Sequence, residues 1–148
     1  MPISFITKTF DQLSVHELYS ILRLRSEVFV VEQNCVFQDM DNKDQIALHV
    51  IGTFDNKIVA CTRLFQPNDY YDFASIGRVV IAEKYRDRKW GNLLMQYSIN
   101  EIEKHFNTKQ ITIGAQLYLK KFYENQGFIQ TNDVYLEDGI EHIEMKIV

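Results

Sequence analysis

One stretch constrains this chain more than any other. Over residues 75–102 a strand pattern gives way to a helix pattern across a short basic turn. Ser75-Ile76-Gly77-Arg78-Val79-Val80-Ile81 is β-prone and apolar, and Leu93, Leu94, Tyr97, Ile99 and Ile102 then recur at helical spacing. The turn between them, residues 83–91, carries Lys84, Arg86, Arg88 and Lys89 and ends on Gly91 at the mouth of the helix. Free backbone N–H groups, the positive end of a helix dipole and mobile cations converge there, which suits a phosphate or pyrophosphate. The plain alternative is a solvated loop, since charge clusters at helix starts are common.

A chain of 148 residues is the size of one domain with a single core, and one domain over residues 1–148 is expected. Its net charge of −4 argues against a general nucleic-acid binder, so the positive charge of the turn is local. No apolar run is long enough to span a bilayer, and Met1-Pro2-Ile3-Ser4-Phe5 lacks the regions of a signal peptide, so a cytoplasmic location is expected. Cys35 and Cys61 stand too far apart, outside any CxxC pair, for a zinc site or a disulfide framework.

In chain order, residues 3–10 read as a strand with Ile3, Phe5 and Thr7 on one face. Ser14 and Glu17 form a capping-box pair, and Leu18, Ile21, Leu22, Arg25, Val28 and Phe29 follow at helical steps, which predicts a helix ending near Glu32. Residues 34–45 break both periods and, with Asp39, Asp41, Asn42 and Asp44, read as a polar loop. Strands are expected over 45–54 and 58–65, joined by the turn Asp55-Asn56-Lys57, and again over 109–115. Residues 116–126 read as a helix closed by Gly127. A last hairpin, 128–136 and 140–148, turns at Glu137-Asp138-Gly139 and buries Ile143, Met145 and Ile147. The expected fold is α/β (α+β): a mixed central sheet with helices on both faces.

This order of elements, and the residues within it, resembles the GNAT superfamily of N-acetyltransferases and more narrowly its ElaA-like branch. The resemblance rests on Leu24-Arg25-x-x-Val28-Phe29-Val30-Val31-Glu32-Gln33, Asp39-x-Asp41, His49, Gly77-Arg78-Val79-Val80, Arg86-x-x-Lys89-x-Gly91, Gly114-Ala115-Gln116, Phe122-Tyr123-x-x-x-Gly127-Phe128 and Glu137-Asp138-Gly139-Ile140-x-His142-Ile143. The superfamily usually has glycine where this chain has Lys89.

The resemblance implies acetyl transfer from acetyl-CoA, as co-substrate, to an amine by direct attack in a ternary complex. The pyrophosphate would sit on the turn formed by Arg86, Asp87, Arg88, Lys89, Trp90 and Gly91, with Asn92 just beyond. The pantetheine arm would run beside Val79, Val80 and Ile81, where that strand and the 109–115 strand, ending near Gln116, diverge. A backbone N–H near Val80 would polarise the reacting carbonyl.

Tyr123 is the candidate general acid for the departing thiolate, and a core aromatic in a packing stripe otherwise. An amine of pKa about 10.4 is neutral in only about 1 molecule in 2,500 at pH 7, so a base is needed. Candidates are Glu32 and His142 first, then Asp39, Asp41 and His49. No metal is expected, because Asp39-x-Asp41 is followed by Lys43 and Asp44 where a calcium loop needs an oxygen ligand and a glycine. Arg25 is expected to pair with a buried carboxylate.

The expected acceptor is a small-molecule or peptide amine. No nucleic acid or membrane partner is expected, and a homodimer is left open. The competing class is a non-catalytic module that binds CoA for regulation or protein interaction.

Overall fold

A computed structural model describes residues 2–148. Its framework is one mixed sheet of eight strands: β1 (Ser4–Thr9), β2 (Leu48–Phe54), β3 (Lys57–Phe65), β4 (Ala74–Ile81), β5 (Ile111–Gln116), β6 (Ile129–Gln130), β7 (Tyr135–Glu137) and β8 (Ile140–Ile147). They lie in the order β1-β2-β3-β4-β5-β8-β6, and β7 also pairs with β8. Three helices cover the sheet: α1 (Val15–Arg25), α2 (Trp90–Phe106) and α3 (Lys120–Glu124).

Alternation along the strands divides the core. Ile51 of β2 and Cys61 of β3 pack with Ile21, Leu24 and Val28 from the first helical segment. Their neighbours Val50 and Ala60 point the other way, into the larger cluster that holds Leu94, Met95 and Ile102 of α2. Successive side chains of a strand face opposite sides, so one sheet serves both layers.

The capping box forms as expected: the Glu17 N–H donates to Ser14 Oγ at 3.0 Å and the Ser14 N–H donates to Glu17 Oε1 at 2.8 Å. The α-helix stops at Arg25, however, and continues as a π-helix over Ser26–Glu32. The Gln33 N–H reaches the Val28 carbonyl and the Cys35 N–H reaches the Val30 carbonyl, both five residues back.

Other expectations need adjustment. Leu93 is half exposed, because the buried stripe of α2 runs through Trp90, Leu94, Ser98 and Ile102, one turn apart. Residues 116–126 begin with a 3-10 turn, Leu117–Leu119, before the short α3. Residues 128–136 are two strands instead of one. Gln130 faces Met145 and Tyr135 faces His142, so two residues loop out between them. There the Glu144 N–H is taken by the Asn132 side chain at 2.7 Å, which ends the backbone ladder. Gly127 closes the preceding helical segment at φ 102°, as the sequence suggests.

Candidate active site

Strands β4 and β5 run parallel but pair only at Ala74–Ile111 and Ser75–Thr112. Beyond that point they diverge and leave the edge of β4 without a strand partner. On its other side β4 carries a bulge: Cys61 faces Val80 and Arg63 faces Gly77, so β4 spends one residue more than β3. Arg78 sits at the bulge with φ 48°. A cavity of about 800 Å³ fills the wedge, with Val79, Val80 and Ile81 on one wall and Ile113, Gly114 and Gln116 on the other.

At one end of the wedge lies the basic turn. Residues Glu83–Arg88 form a 3-10 helix, and Lys89 adopts φ 61° before α2 begins. That left-handed conformation is the physical reason a glycine suits this position; a side chain there costs roughly 1–2 kcal/mol. No side chain caps the start of α2, so its first N–H groups keep their capacity for an anion. A Cβ on Gly91 would stand 3.2 Å from the Phe122 ring, so glycine here also allows α2 and α3 to approach.

The side chains named from the sequence divide into two groups. Arg86, Lys89, Gly91, Asn92, Gln116, Tyr123 and His142 line the cavity, together with Val79, Val80, Ile81 and Glu32. Asp87, Arg88 and Trp90 do not. Asp87 is exposed. Trp90 is a core residue, 6% exposed, packed on Phe54 and Tyr85, and the Arg88 guanidinium lies about 5 Å over those same rings. Burying an indole and stacking a cation on it turns both side chains away from the wedge.

Arg86 and Glu32, expected for different tasks, hold each other. Both terminal nitrogens of Arg86 donate to the Glu32 carboxylate, Nη2 to Oε1 at 2.9 Å, while Nε donates to the Ile81 carbonyl at 3.0 Å. Both carboxylate oxygens are therefore engaged by the turn, and Glu32 stands as the partner of Arg86. Gln116 likewise exchanges two 3.2 Å hydrogen bonds with Gln33, at the end of the π-helix.

The polar loop is a structural device and not a solvated one. Arg25 and Arg63, each 1% exposed, meet three aspartates. Arg25 donates to Asp39 at 2.9 Å and to Asp44 at 2.8 Å, Arg63 to Asp41 and Asp44, and Arg78 to Asp39 at 2.7 Å. Desolvation would raise the Asp41 and Asp44 carboxyls, but hydrogen bonds and charge from Arg63 and Arg25 hold them below the ordinary range. His49, also 1% exposed, bonds through Nε2 to the Asp44 carbonyl at 2.8 Å, and burial pushes its pKa down. Asp39, Asp41 and His49 are therefore corrected from candidate bases to members of this network, and Arg25 pairs with buried carboxylates as expected.

His142 and Tyr123 remain as the pair with proton chemistry to offer. His142 is 7% exposed, and its Nδ1 lies 2.8 Å from the Ile140 carbonyl. A carbonyl only accepts, so Nδ1 carries a hydrogen, and in the neutral ring the lone pair is on Nε2. Glu137 Oε2 stands 3.5 Å from Nε2. Tyr123, 6% exposed, is packed edge-on to Phe122 and Phe128. Burial and then nearby Tyr118 push its pKa up, so the phenol stays protonated, and its hydroxyl has no hydrogen-bond partner among the described residues. Glu137, Gln33 and Phe37 also belong to this site and were missed. Glu137 reads as hairpin-turn chemistry, and no local pattern brings residues 33–37 to the wedge.

The sequence model of the acetyltransferase (GNAT) domain family matches residues 9–148. Protein ElaA of Escherichia coli strain K12 is 41% identical over 137 residues, covering 91% of this chain and 90% of that protein. The crystal structure of Escherichia coli ElaA superposes with a TM-score of 0.91 at 38% identity, over 98% of this chain and 99% of that one. An acyl-CoA N-acyltransferase from Pseudomonas aeruginosa superposes with a TM-score of 0.94 at 34% identity, over 99% and 100% of the two chains.

Proposed function

Since the chain belongs to the GNAT acetyltransferase family, we propose that its wedge takes acetyl-CoA and an amine together and transfers the acetyl group directly between them. The observation that carries this reading is that a proton donor and a proton acceptor, Tyr123 and His142, line the same cavity. The residues present fit the co-substrate. An uncapped helix start suits the pyrophosphate, and the unpartnered edge of β4 suits an arm that hydrogen-bonds like a strand.

Acetyl-CoA supplies an activated acetyl group as a thioester. The backbone N–H groups of residues 86–91, with Lys89 and Asn92, would hold its phosphates, and Val79, Val80 and Ile81 would hold its arm. His142 Nε2 takes the proton of the acceptor ammonium, its ring oriented by the Ile140 carbonyl and the resulting imidazolium favoured by Glu137. Tyr123 donates from its hydroxyl toward the departing sulfur. Arg86 acts here as a brace between the turn and Glu32, not as a direct phosphate ligand.

The test is thiol release from acetyl-CoA on addition of amines, run beside calorimetry of acetyl-CoA binding. Amine-dependent release is expected. Tight binding without release from any amine would leave a non-catalytic CoA module.

A further inference from the structure

The acceptor side of the wedge has a chemical character of its own. Its floor is Gly114 on β5, where a side chain would collide with two phenol oxygens: a Cβ would stand 3.1 Å from Tyr71 Oη and 3.2 Å from Tyr135 Oη. Neither phenol has a hydrogen-bond partner among the described residues. The Tyr135 ring stacks on His142 with centroids 5.9 Å apart, and Tyr71 packs on Tyr70 at 5.0 Å. Gly114 and His142 line the cavity, and the two phenol oxygens stand over Gly114 at its margin, beside the candidate base.

The field there is negative. Burial pushes the Tyr71 and Tyr135 pKa values up; the Glu137 and Glu144 carboxylates come next for Tyr135, while for Tyr71 they follow the neighbouring phenols Tyr70 and Tyr135. The Glu137 side chain is 60% exposed, with His142 as its ion-pair partner among the described residues, and Asp138 lines the cavity beside it. The cations nearby are engaged. Arg78 is bonded to Asp39, Lys146 lies 3.6 Å from Glu144 and over Phe73, and Lys43 lies over the Tyr70 ring. Phenol oxygens, π faces and the Glu137 carboxylate, which no lysine or arginine among the described residues pairs, attract an alkylammonium and repel a carboxylate.

The nitrogen that attacks must be neutral when it does so, so the charge recognised by such a wall is a second one. We propose that this subsite selects an amine acceptor that carries a second ammonium group and no carboxylate. Its reacting nitrogen lies at His142, and its distal ammonium lies against Tyr71 and Tyr135 under Glu137. The proposal rests on the acetyl-transfer reading and adds the acceptor class to it.

A length-matched series tests it: cadaverine, pentylamine and aminovalerate, each with acetyl-CoA and thiol release as readout. The expected order of kcat/KM places cadaverine about tenfold or more above pentylamine, with aminovalerate last. Glu137→Gln should narrow the ratio of cadaverine to pentylamine at least about threefold; a loss of catalysis common to both amines cancels in that ratio. Equal rates for the two amines, a preference for aminovalerate, or a ratio unmoved in Glu137→Gln would overturn the proposal and leave acetyl transfer standing. If no amine releases thiol, the transfer reading falls, and calorimetry of the three compounds on CoA-saturated protein decides recognition alone. The same order supports it, and equal affinities overturn it.

Discussion

Replacing Asp44 by asparagine should be among the most damaging single-atom changes this chain can suffer. Asp44 accepts from Arg25 Nη1 at 2.8 Å, Arg25 Nη2 at 3.2 Å and Arg63 Nη1 at 3.0 Å, and both arginines are 1% exposed. Three arginines face three aspartates in the intact network, so the substitution leaves an uncompensated positive charge in a dry interior and points an amide N–H at a guanidinium. Removing one partner of a buried ion pair costs about 3–5 kcal/mol, a large share of the 5–15 kcal/mol typical of a whole domain. At roughly 2–4 °C per kcal/mol for a chain of this size, the melting temperature should fall by about 6–20 °C. Glu32→Gln makes the control: it breaks the partly exposed pair with Arg86, where the loss should stay below about 1 kcal/mol. Urea titrations of both variants compare the two costs directly. If Asp44→Asn costs no more than Glu32→Gln, the aspartate is not the counter-charge of Arg25 and Arg63, and the structural reading of the polar loop fails.

Tyr123→Phe should keep the fold and acetyl-CoA affinity, since the ring packing survives and its hydroxyl has no protein partner, while thiol release slows about 10²–10⁴-fold; an unchanged rate would return Tyr123 to the core. Lys89→Gly relieves a left-handed side chain at the entropic cost of a glycine, so urea unfolding should show a gain of up to about 1.5 kcal/mol, and calorimetry at most a several-fold change in acetyl-CoA affinity. Acid should destabilise the chain in two stages. Burial depresses His49 below its unfolded value of about 6.5, so its contribution is lost as pH falls below that value. The Asp41 and Asp44 carboxyls are depressed too, so theirs holds above about pH 4 and is lost below it. Denaturant midpoints that stay level from neutral pH to about pH 3 would refute both assignments.

The strand, turn and helix of residues 75–102 were legible because each carries its signal locally: apolar alternation, clustered cations and a helical stripe. The family resemblance extended that reading to the domain, and the single sheet with α1 on one face and α2 on the other follows it. What was hidden depended on contacts distant in the chain. Asp39, Asp41 and Asp44 have the composition of a solvated loop, and only Arg25, Arg63 and Arg78, brought to them from a helix and two strands, bury Asp39 and Asp44 and half-bury Asp41. Trp90 and Arg88 were assigned to the phosphate turn by adjacency, yet helical geometry swings the indole into the core, where the guanidinium follows it. Sequence spacing places a residue near a site, but the direction of its Cβ decides whether it faces that site.

The network and the wedge are parts of one construction. Arg78 holds a left-handed backbone that a non-glycine residue adopts at a cost of roughly 1–2 kcal/mol, and that conformation sits at the β4 bulge. Its side chain makes two hydrogen bonds to Asp39, Nε to Oδ1 at 2.7 Å and Nη2 to the backbone carbonyl at 2.8 Å, and Asp39 is held in turn by Arg25 of α1. Charge-assisted hydrogen bonds of this kind contribute about 1.5–3 kcal/mol each, enough to offset the strain. The same guanidinium lies 5.8 Å over the ring of Phe37, which walls the cavity. The first helix therefore sustains the bulge on β4 through a salt bridge, and the loop that carries the aspartates forms the wall opposite it. Weakening the charges would loosen both sides of the wedge at once, because Arg78 belongs to the network and lines the cavity as well.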